Sequence, residues 1–211
     1  MQLEIWSDPI CPWCFIGKAR LDRALESRPE HPFEIVWRPF QLNPDMPREG
    51  MARDEYMALK FGDAQGILDA YRPVVEAAEA TGLTLDLPAI TRTPDTLDAH
   101  RLIHWAGLEG RQNAMVAALF RAYFQEGRDI GDRATLIEIA ERTGMDRGVT
   151  ERLLASEADT TQIREAARAA RARGIQGVPC FILDGRYAIS GAQPVTLWQE
   201  VIDDLARGAP E

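Results

Sequence analysis

The sequence has few cysteines, only three in 211 residues, and the number is odd. Small secreted domains that depend on disulfides carry many more, so the composition excludes that class. The chain also lacks an apolar run long enough to span a bilayer. It opens Met1-Gln2-Leu3-Glu4, without a basic segment followed by an apolar one. We therefore expect no secretory signal, a native start and a cytoplasmic location.

Positive charge is the second deficit. The chain has 24 Lys and Arg against 33 Asp and Glu, and its formal net charge is −9. Nucleic acids and anionic membranes repel such a chain, so we expect neither as a partner. The length and a hydrophobic content of 45% suffice for one large domain or two small ones. The sequence leaves a monomer and a homodimer equally open.

What the sequence does contain is a cysteine pair, Cys11-Pro12-Trp13-Cys14, between a short apolar run and a helical pattern. The thiolate of a cysteine at the start of a helix is favoured by unpaired backbone N–H groups and by the helix dipole. A second cysteine one turn later can attack a mixed disulfide formed by the first. The spacing therefore favours thiol–disulfide exchange. In this interpretation Cys11 is the exposed nucleophile and Cys14 is the shielded resolving thiol.

A zinc site is the main alternative interpretation of the pair, because Cys-x-x-Cys supplies two of four ligands. Candidates for the other two ligands are Cys180, His100 and His104, and the two histidines are four residues apart. No second Cys-x-x-Cys and no Cys-His block accompany the pair. We therefore predict no metal.

Apolar periodicity predicts a small sheet that is interrupted by a long helical segment. Residues 3–7, 11–27 and 33–38 show a strand, a helix and a strand, and the helical crossover implies that the strands are parallel. From about residue 52 to 173 every periodic segment is helical. Two short apolar runs then flank Asp184-Gly185, which indicates a hairpin. A last helix carries Leu197, Val201 and Leu205 on one face.

Four segments carry a resemblance to a known family. They are Ser7-Asp8-Pro9-Ile10-Cys11-Pro12-Trp13-Cys14, Trp37-Arg38-Pro39-Phe40-Gln41-Leu42-Asn43-Pro44, Asp98-Ala99-His100-Arg101-Leu102 and Ser190-Gly191-Ala192-Gln193-Pro194. With these segments, and with Gly177-Val178-Pro179 before the third strand, the chain resembles the DsbA-like oxidoreductases of the thioredoxin fold. Within them it resembles the cytoplasmic FrnE-like branch.

The resemblance implies an α/β protein, a thioredoxin-like fold with an inserted all-helical domain. Residues 1–44 and 174–211 would form the thioredoxin-like domain, and residues 45–173 would form the insertion. The implied function is a thiol–disulfide oxidoreductase of the oxidase or isomerase type. Its substrates would be disulfides or thiols of proteins or small molecules. The resemblance implies that the protein needs no cofactor and that glutathione is an optional redox partner.

The resemblance also assigns a role to Val178 and Pro179. X–Pro bonds are the only ones that become cis at low cost. In the resembled fold this proline is cis and faces the Cys-x-x-Cys pair. The backbone of Val178 would then pair with an extended substrate as an added strand. Trp13, Val178 and Pro179 are therefore predicted to bind substrate.

Three further residues are candidate modulators of the thiols. Asp8 would oppose a Cys11 thiolate if it lay close in space, and His100 titrates near neutral pH. Cys180 is predicted to be a buried, inert thiol, with a third redox thiol as the alternative. Thioredoxins carry a buried acid six residues before the first cysteine. This chain has Ile5 there, so that proton acceptor is missing.

Two other functions remain open at this stage. The same branch includes kappa-class glutathione transferases and 2-hydroxychromene-2-carboxylate isomerases, which carry Ser where this chain has Cys11. A glutathione-dependent transferase or isomerase is therefore one alternative. A holdase chaperone, whose insertion binds unfolded chains without redox chemistry, is the other.

Overall fold

A four-stranded sheet of order β2-β1-β5-β6 forms the centre of the structure, a computed structural model that describes residues 1–208. Strands β1 to β6 are Gln2–Ser7, Glu34–Pro39, Met51–Ala52, Arg92–Thr93, Cys180–Leu183 and Tyr187–Ser190. Helices α1 to α9 are Pro12–Ser27, Arg53–Phe61, Ala64–Ala80, Leu97–Leu108, Gln112–Phe124, Arg133–Arg142, Arg147–Ala155, Thr160–Ala172 and Val195–Ala206. None of the helices within residues 1–208 has both the length and the apolar character needed to cross a membrane.

The sheet joins the two ends of the chain. β1 and β2 are parallel and are connected by α1, as the sequence predicts. β5 runs antiparallel to β1, and β6 runs antiparallel to β5. The hairpin between β5 and β6 turns at Asp184 and Gly185, whose φ angles are +46° and +69°. Positive φ at these two positions closes a tight turn in which the Arg186 N–H donates to the Leu183 carbonyl at 3.0 Å, so the hairpin prediction is confirmed.

Different helices cover the two faces of the sheet. On one face α1 and α9 pack over the strands, and the Phe181 and Trp198 rings meet edge to face with centroids 4.7 Å apart. On the other face Ala170 of α8 packs with Trp6 and Cys180. Successive side chains of a strand point to opposite faces. Cys180 and Phe181 therefore lie in different parts of the core.

The segment between β2 and β5 is helical, with one exception to the prediction. Met51–Ala52 and Arg92–Thr93 pair as two-residue antiparallel strands, which are too short to show an apolar alternation. Phe120 of α5 stacks on Phe15 of α1 with ring centroids 5.3 Å apart. The core is thus continuous from the sheet into the helices. The boundaries proposed for the insertion, residues 45–173, stay a prediction.

Arg101 is fully buried in α4 and ties that helix to the end of α7 and to the loop between α7 and α8. Its guanidinium donates hydrogen bonds to the carbonyl oxygens of Leu153, Ser156 and Ala158 at 2.7–2.8 Å. It also donates to the Asp98 carboxylate at 2.6 Å. One side chain therefore holds the loop between α7 and α8 against α4.

Replacing Arg101 with lysine is expected to destabilise the protein by roughly 3 kcal/mol, because the buried carbonyls and carboxylate lose a planar donor. Urea unfolding measures the change. Arg133→Lys is the matched control, since Arg133 contacts the same Asp98 at 3.4 Å but is 43% exposed. That change should cost less than about 1 kcal/mol. Equal losses in the two variants would contradict a special role for Arg101.

Candidate active site

The Cys-x-x-Cys pair lies where β1 ends and α1 begins. Cys11 is the N-cap of α1, with φ −89° and ψ 112°, and Pro12 occupies the first helical position. Proline suits this position because it has no N–H group to satisfy. The Cys11 N–H donates to the Asp8 carbonyl at 2.9 Å, and the Cys14 N–H donates to the Cys11 carbonyl at 3.1 Å. A tight turn therefore places both thiols, which are free, at the helix N-terminus.

Cys11 is buried rather than exposed, with 4% of its surface accessible. Its thiol donates a hydrogen bond to the Val178 carbonyl, with Sγ and O 3.5 Å apart. The loop that precedes β5 thus covers the sulfur, which corrects the expectation of an exposed nucleophile. Any molecule that reacts with Cys11 therefore has to displace this hydrogen bond.

Cys14 is buried more deeply, with 1% of its surface accessible. Burial raises the pKa of the Cys14 thiol well above its ordinary value. A hydrogen bond with Cys11 and the nearby charges of Cys11 and Asp8 raise that pKa further. Cys14 is therefore held as a neutral thiol in the reduced protein.

Val178 and Pro179 face the start of α1 across a short gap. Their peptide bond is cis, as the resemblance implies. A Cβ atom on Gly17 would lie 3.1 Å from Pro179 Cγ, so the absence of a side chain at Gly17 allows this close approach. Beside the loop lies a groove of about 540 Å³, lined by residues that include Val178, Pro179, Cys180 and Ile182. Its size suits a stretch of extended chain.

Trp13 is half-buried and connects the site to the helical segment. Its side chain packs against the cluster formed by Ile16 of α1 with Val74 and Ala78 of α3. The residue keeps part of its surface accessible. The role of Trp13 in substrate binding stays a prediction.

Asp8 lies fully buried beneath the turn that carries the cysteines. Its two carboxylate oxygens accept hydrogen bonds from the Ile10 N–H at 3.3 Å and the Leu42 N–H at 2.7 Å, and Thr96 adds a third. Burial raises the pKa of Asp8 to about 7, although these hydrogen bonds oppose the change. From the sequence alone, the closeness of Asp8 to the thiols is an open condition, and no neighbouring residue indicates that Asp8 is buried.

His100 lies behind Asp8 and is also buried. Its Nε2 atom is 3.2 Å from the Phe40 carbonyl and 3.9 Å from Asp8 Oδ1. Burial lowers the pKa of His100 to about 4, so the imidazole is neutral at neutral pH. The structure thus brings His100 to the site, but as a buried neighbour of Asp8.

The sequence model of the family described as DSBA-like thioredoxin domain matches residues 2–203, almost the whole chain. This chain belongs to that family. The matched range includes the cysteine turn, the helical segment and the loop with Val178 and Pro179. The DsbA-like family and the thioredoxin-like fold with helices inserted are therefore confirmed.

Three solved structures are similar to this DsbA-like chain over nearly its full length. A probable DsbA oxidoreductase from Streptomyces coelicolor shares 32% identity and a TM-score of 0.86, over 100% of this chain and 92% of that one. A 2-hydroxychromene-2-carboxylate isomerase shares 18% identity and a TM-score of 0.73, with 99% and 97% covered. The cytosolic disulfide reductase DsbM from Pseudomonas aeruginosa, in a structure with GSH, shares 20% identity and a TM-score of 0.70, with 98% and 100% covered. At 18% and 20% identity, the isomerase and DsbM show that this chain shares their fold.

The third cysteine of the DsbA-like chain lies away from the pair. Cys180 is 5% exposed and packs with Trp6 and Phe40 on the α8 face of the sheet. Burial raises the pKa of its thiol, and a hydrogen bond with Ser190 only partly offsets this. Within residues 1–208, His, Cys, Asp and Glu do not gather in any group of three or more that could hold a metal ion.

Proposed function

We propose that this DsbA-like protein catalyses thiol–disulfide exchange through Cys11 and Cys14. The observation that carries the proposal is the placement of the pair at the N-terminus of α1 directly opposite Val178 and Pro179. The helix N-terminus favours a thiolate. The loop supplies a carbonyl that already accepts a hydrogen bond from Cys11.

The reaction runs in two exchanges. The Cys11 thiolate attacks one sulfur of a substrate disulfide, the S–S bond breaks, and half of the substrate leaves as a thiolate. Cys14 then attacks Cys11 Sγ, which releases the second half and leaves a Cys11–Cys14 disulfide. Two electrons pass to the substrate. The reverse sequence oxidises a substrate dithiol, so the same pair serves as an oxidase or an isomerase.

Protein chains are the proposed main substrates. The groove of about 540 Å³ next to Val178 offers room for an extended segment that pairs with the backbone there. The α2 and α3 helices add an apolar surface, because Leu59 and Leu68 are 72% and 59% exposed. Leu59 also lines a second groove of about 490 Å³. Exposed apolar side chains of this kind suit partly unfolded protein.

Glutathione is the proposed small-thiol partner, and the cytoplasm is the proposed location. Both are supported by the shared fold with DsbM, which is described as cytosolic and has a structure with GSH. A glutathione-dependent isomerase remains the second candidate, favoured by the shared fold of the 2-hydroxychromene-2-carboxylate isomerase. Cys11 is the residue that separates the two functions, since it can form a disulfide and serine cannot.

The proposal predicts different products when the wild type and Cys14→Ser are mixed with oxidised glutathione. The wild type should lose two hydrogens and gain a Cys11–Cys14 disulfide, because Cys14 removes the bound glutathione. Cys14→Ser should keep one glutathione on Cys11. Mass spectrometry of the intact protein and its peptides separates these products. An adduct on Cys180 alone would contradict the proposed exchange. So would a Cys14→Ser protein without an adduct together with a wild type that keeps both thiols reduced.

A further inference from the structure

The resolving step requires the Cys14 thiol to lose its proton inside the protein. Cys14 is 1% exposed, and its neutral form is favoured by burial and by its neighbours. A neutral thiol is a poor nucleophile. A buried thiol that must react therefore needs a base within reach.

Asp8 is the carboxylate that the fold places beside Cys14. The turn from Asp8 to Cys11 is closed by a hydrogen bond of 2.9 Å, so Asp8 and the start of α1 lie in one compact unit. The main chain of Asp8 lies against the Cys14 sulfur and lowers the pKa of that thiol, whereas the charge of the Asp8 carboxylate raises it. Asp8 is completely buried, and Ile10 and Leu42 hold its two oxygens in place.

We propose that Asp8 accepts the proton of Cys14 when Cys14 attacks the mixed disulfide on Cys11, an inference that rests on the exchange function proposed above. In this step the Cys14 S–H bond breaks and its proton moves to an Asp8 carboxylate oxygen. The electron pair left on Cys14 forms the bond to Cys11 Sγ. The bond from Cys11 to the substrate breaks, and the substrate leaves as a thiolate. In the reverse direction Asp8 returns the proton to Cys14.

The groups around Asp8 suit this task. Asp95, from the loop before α4, opposes ionisation of Asp8 through its charge, and the Thr96 hydrogen bond favours it. His100 of α4 is neutral at neutral pH, and Tyr123 of α5 holds its proton because burial raises its pKa. With a pKa of about 7, Asp8 is present as both acid and base at neutral pH. Proton transfer is most effective when the pKa of the base lies near the working pH.

The test separates the two exchanges in a single turnover. Reduced protein in a Cys180→Ser background receives less than one equivalent of dithiobis(nitrobenzoate), so that only Cys11 is loaded. The first release of thionitrobenzoate reports the attack by Cys11, and the second reports resolution by Cys14. In the parent protein the second rate should rise with an inflection near pH 7, where Asp8 ionises.

Asp8→Asn should slow the second release about 100-fold or more and remove the inflection, while the first release stays unchanged. Asp95→Asn is the matched comparison, because Asp95 is a half-buried carboxylate whose charge raises the pKa of Asp8 and which is not among the groups that act on Cys14. It should keep both phases and move the inflection of the second release to lower pH, because Asp8 then ionises more easily.

A normal second release in Asp8→Asn would overturn the role of Asp8 and leave the exchange function intact. Absence of the first release in the parent would contradict the exchange function itself, and this role with it. If Asp8→Asn does not fold, the parent protein still decides. A second release without an inflection between about pH 6 and 8 would overturn the proposal.

Discussion

Replacing Cys11 with serine is expected to abolish thiol–disulfide exchange. A hydroxyl oxygen cannot form the mixed disulfide on which both exchanges depend. The rate of insulin reduction, or of exchange with oxidised glutathione, should fall at least about a thousandfold, as is typical when a covalent nucleophile is lost. The fold should persist, because a serine hydroxyl can donate to the same Val178 carbonyl that now accepts from Cys11. Insulin turbidity and glutathione release measure the rates.

Cys180→Ser is the matched control, since it makes the same chemical change on the other face of the sheet. It should retain activity, because Cys180 packs with Trp6 and Phe40 and serine keeps nearly the same size where this residue lines the groove. Equal rates in the wild type and in Cys11→Ser would remove the redox function. Turnover of a chromene-carboxylate with glutathione, by either protein, would favour the isomerase. Suppression of aggregation that survives loss of both Cys11 and Cys14 would favour a holdase.

Local signals in the sequence were enough to predict the frame that carries the site. The hairpin follows from Asp184 and Gly185, because few residue pairs adopt the two positive φ angles that its turn needs. The parallel pairing of β1 and β2 follows from the helix between them. The position of Cys11 at the N-terminus of α1 follows from the apolar run before it and the helical pattern after it.

The covering of the site was not predictable, because the residues that cover it are distant in sequence. Val178, which accepts from the Cys11 thiol, is 167 residues away. Leu42, which holds Asp8, is 34 residues away. An aspartate before proline is typical of an exposed turn, so nothing near Asp8 indicates burial. Contacts of this kind depend on how the helical segment and the β5 loop pack, and apolar periodicity carries no information about that packing.

In the C-terminal helix, the sequence pattern identifies the helix but not the residues that are buried most deeply. The four-residue spacing of Leu197, Val201 and Leu205 predicts this helix and places the three residues on one face. In α9 the fully buried side chains are Trp198 and Ile202, one position further along, and the three predicted residues flank them half-buried. Adjacent apolar residues with the same four-residue spacing define overlapping faces of a helix. The larger pair, with Trp198 against Phe181, occupies the centre.

Asp8 and His100 are expected to have opposite effects on stability as the pH changes. The pKa of Asp8 is raised from 3.8 to about 7, so the stability it contributes is full below pH 3.8 and is lost as the pH rises to about 7. The pKa of His100 is lowered from 6.5 to about 4, so its contribution is full above pH 6.5 and is lost as the pH falls to about 4.

Because these two effects run in opposite directions, the stability of the wild type should change little between about pH 4 and 6.5. In this range the folded and unfolded states bind the same total number of protons at Asp8 and His100. Replacing one of the two residues should reveal the pH dependence that the other contributes. As the pH rises from about 4 to 7, Asp8→Asn should gain on the order of 4 kcal/mol of stability relative to the wild type. As the pH rises from about 4 to 6.5, His100→Gln should lose on the order of 3 kcal/mol of stability relative to the wild type.

Urea unfolding of the three proteins at several pH values across this range measures the two difference curves. Each difference also contains a constant part, because Asn loses an acceptor for the Leu42 N–H and Gln changes the contact with the Phe40 carbonyl. Only the slopes report titration, and they should have opposite signs. Two flat difference curves would show that Asp8 and His100 keep ordinary pKa values in the folded protein. In that case Asp8 would be fully ionised at neutral pH, and the inflection near pH 7 in the resolving step would need another group.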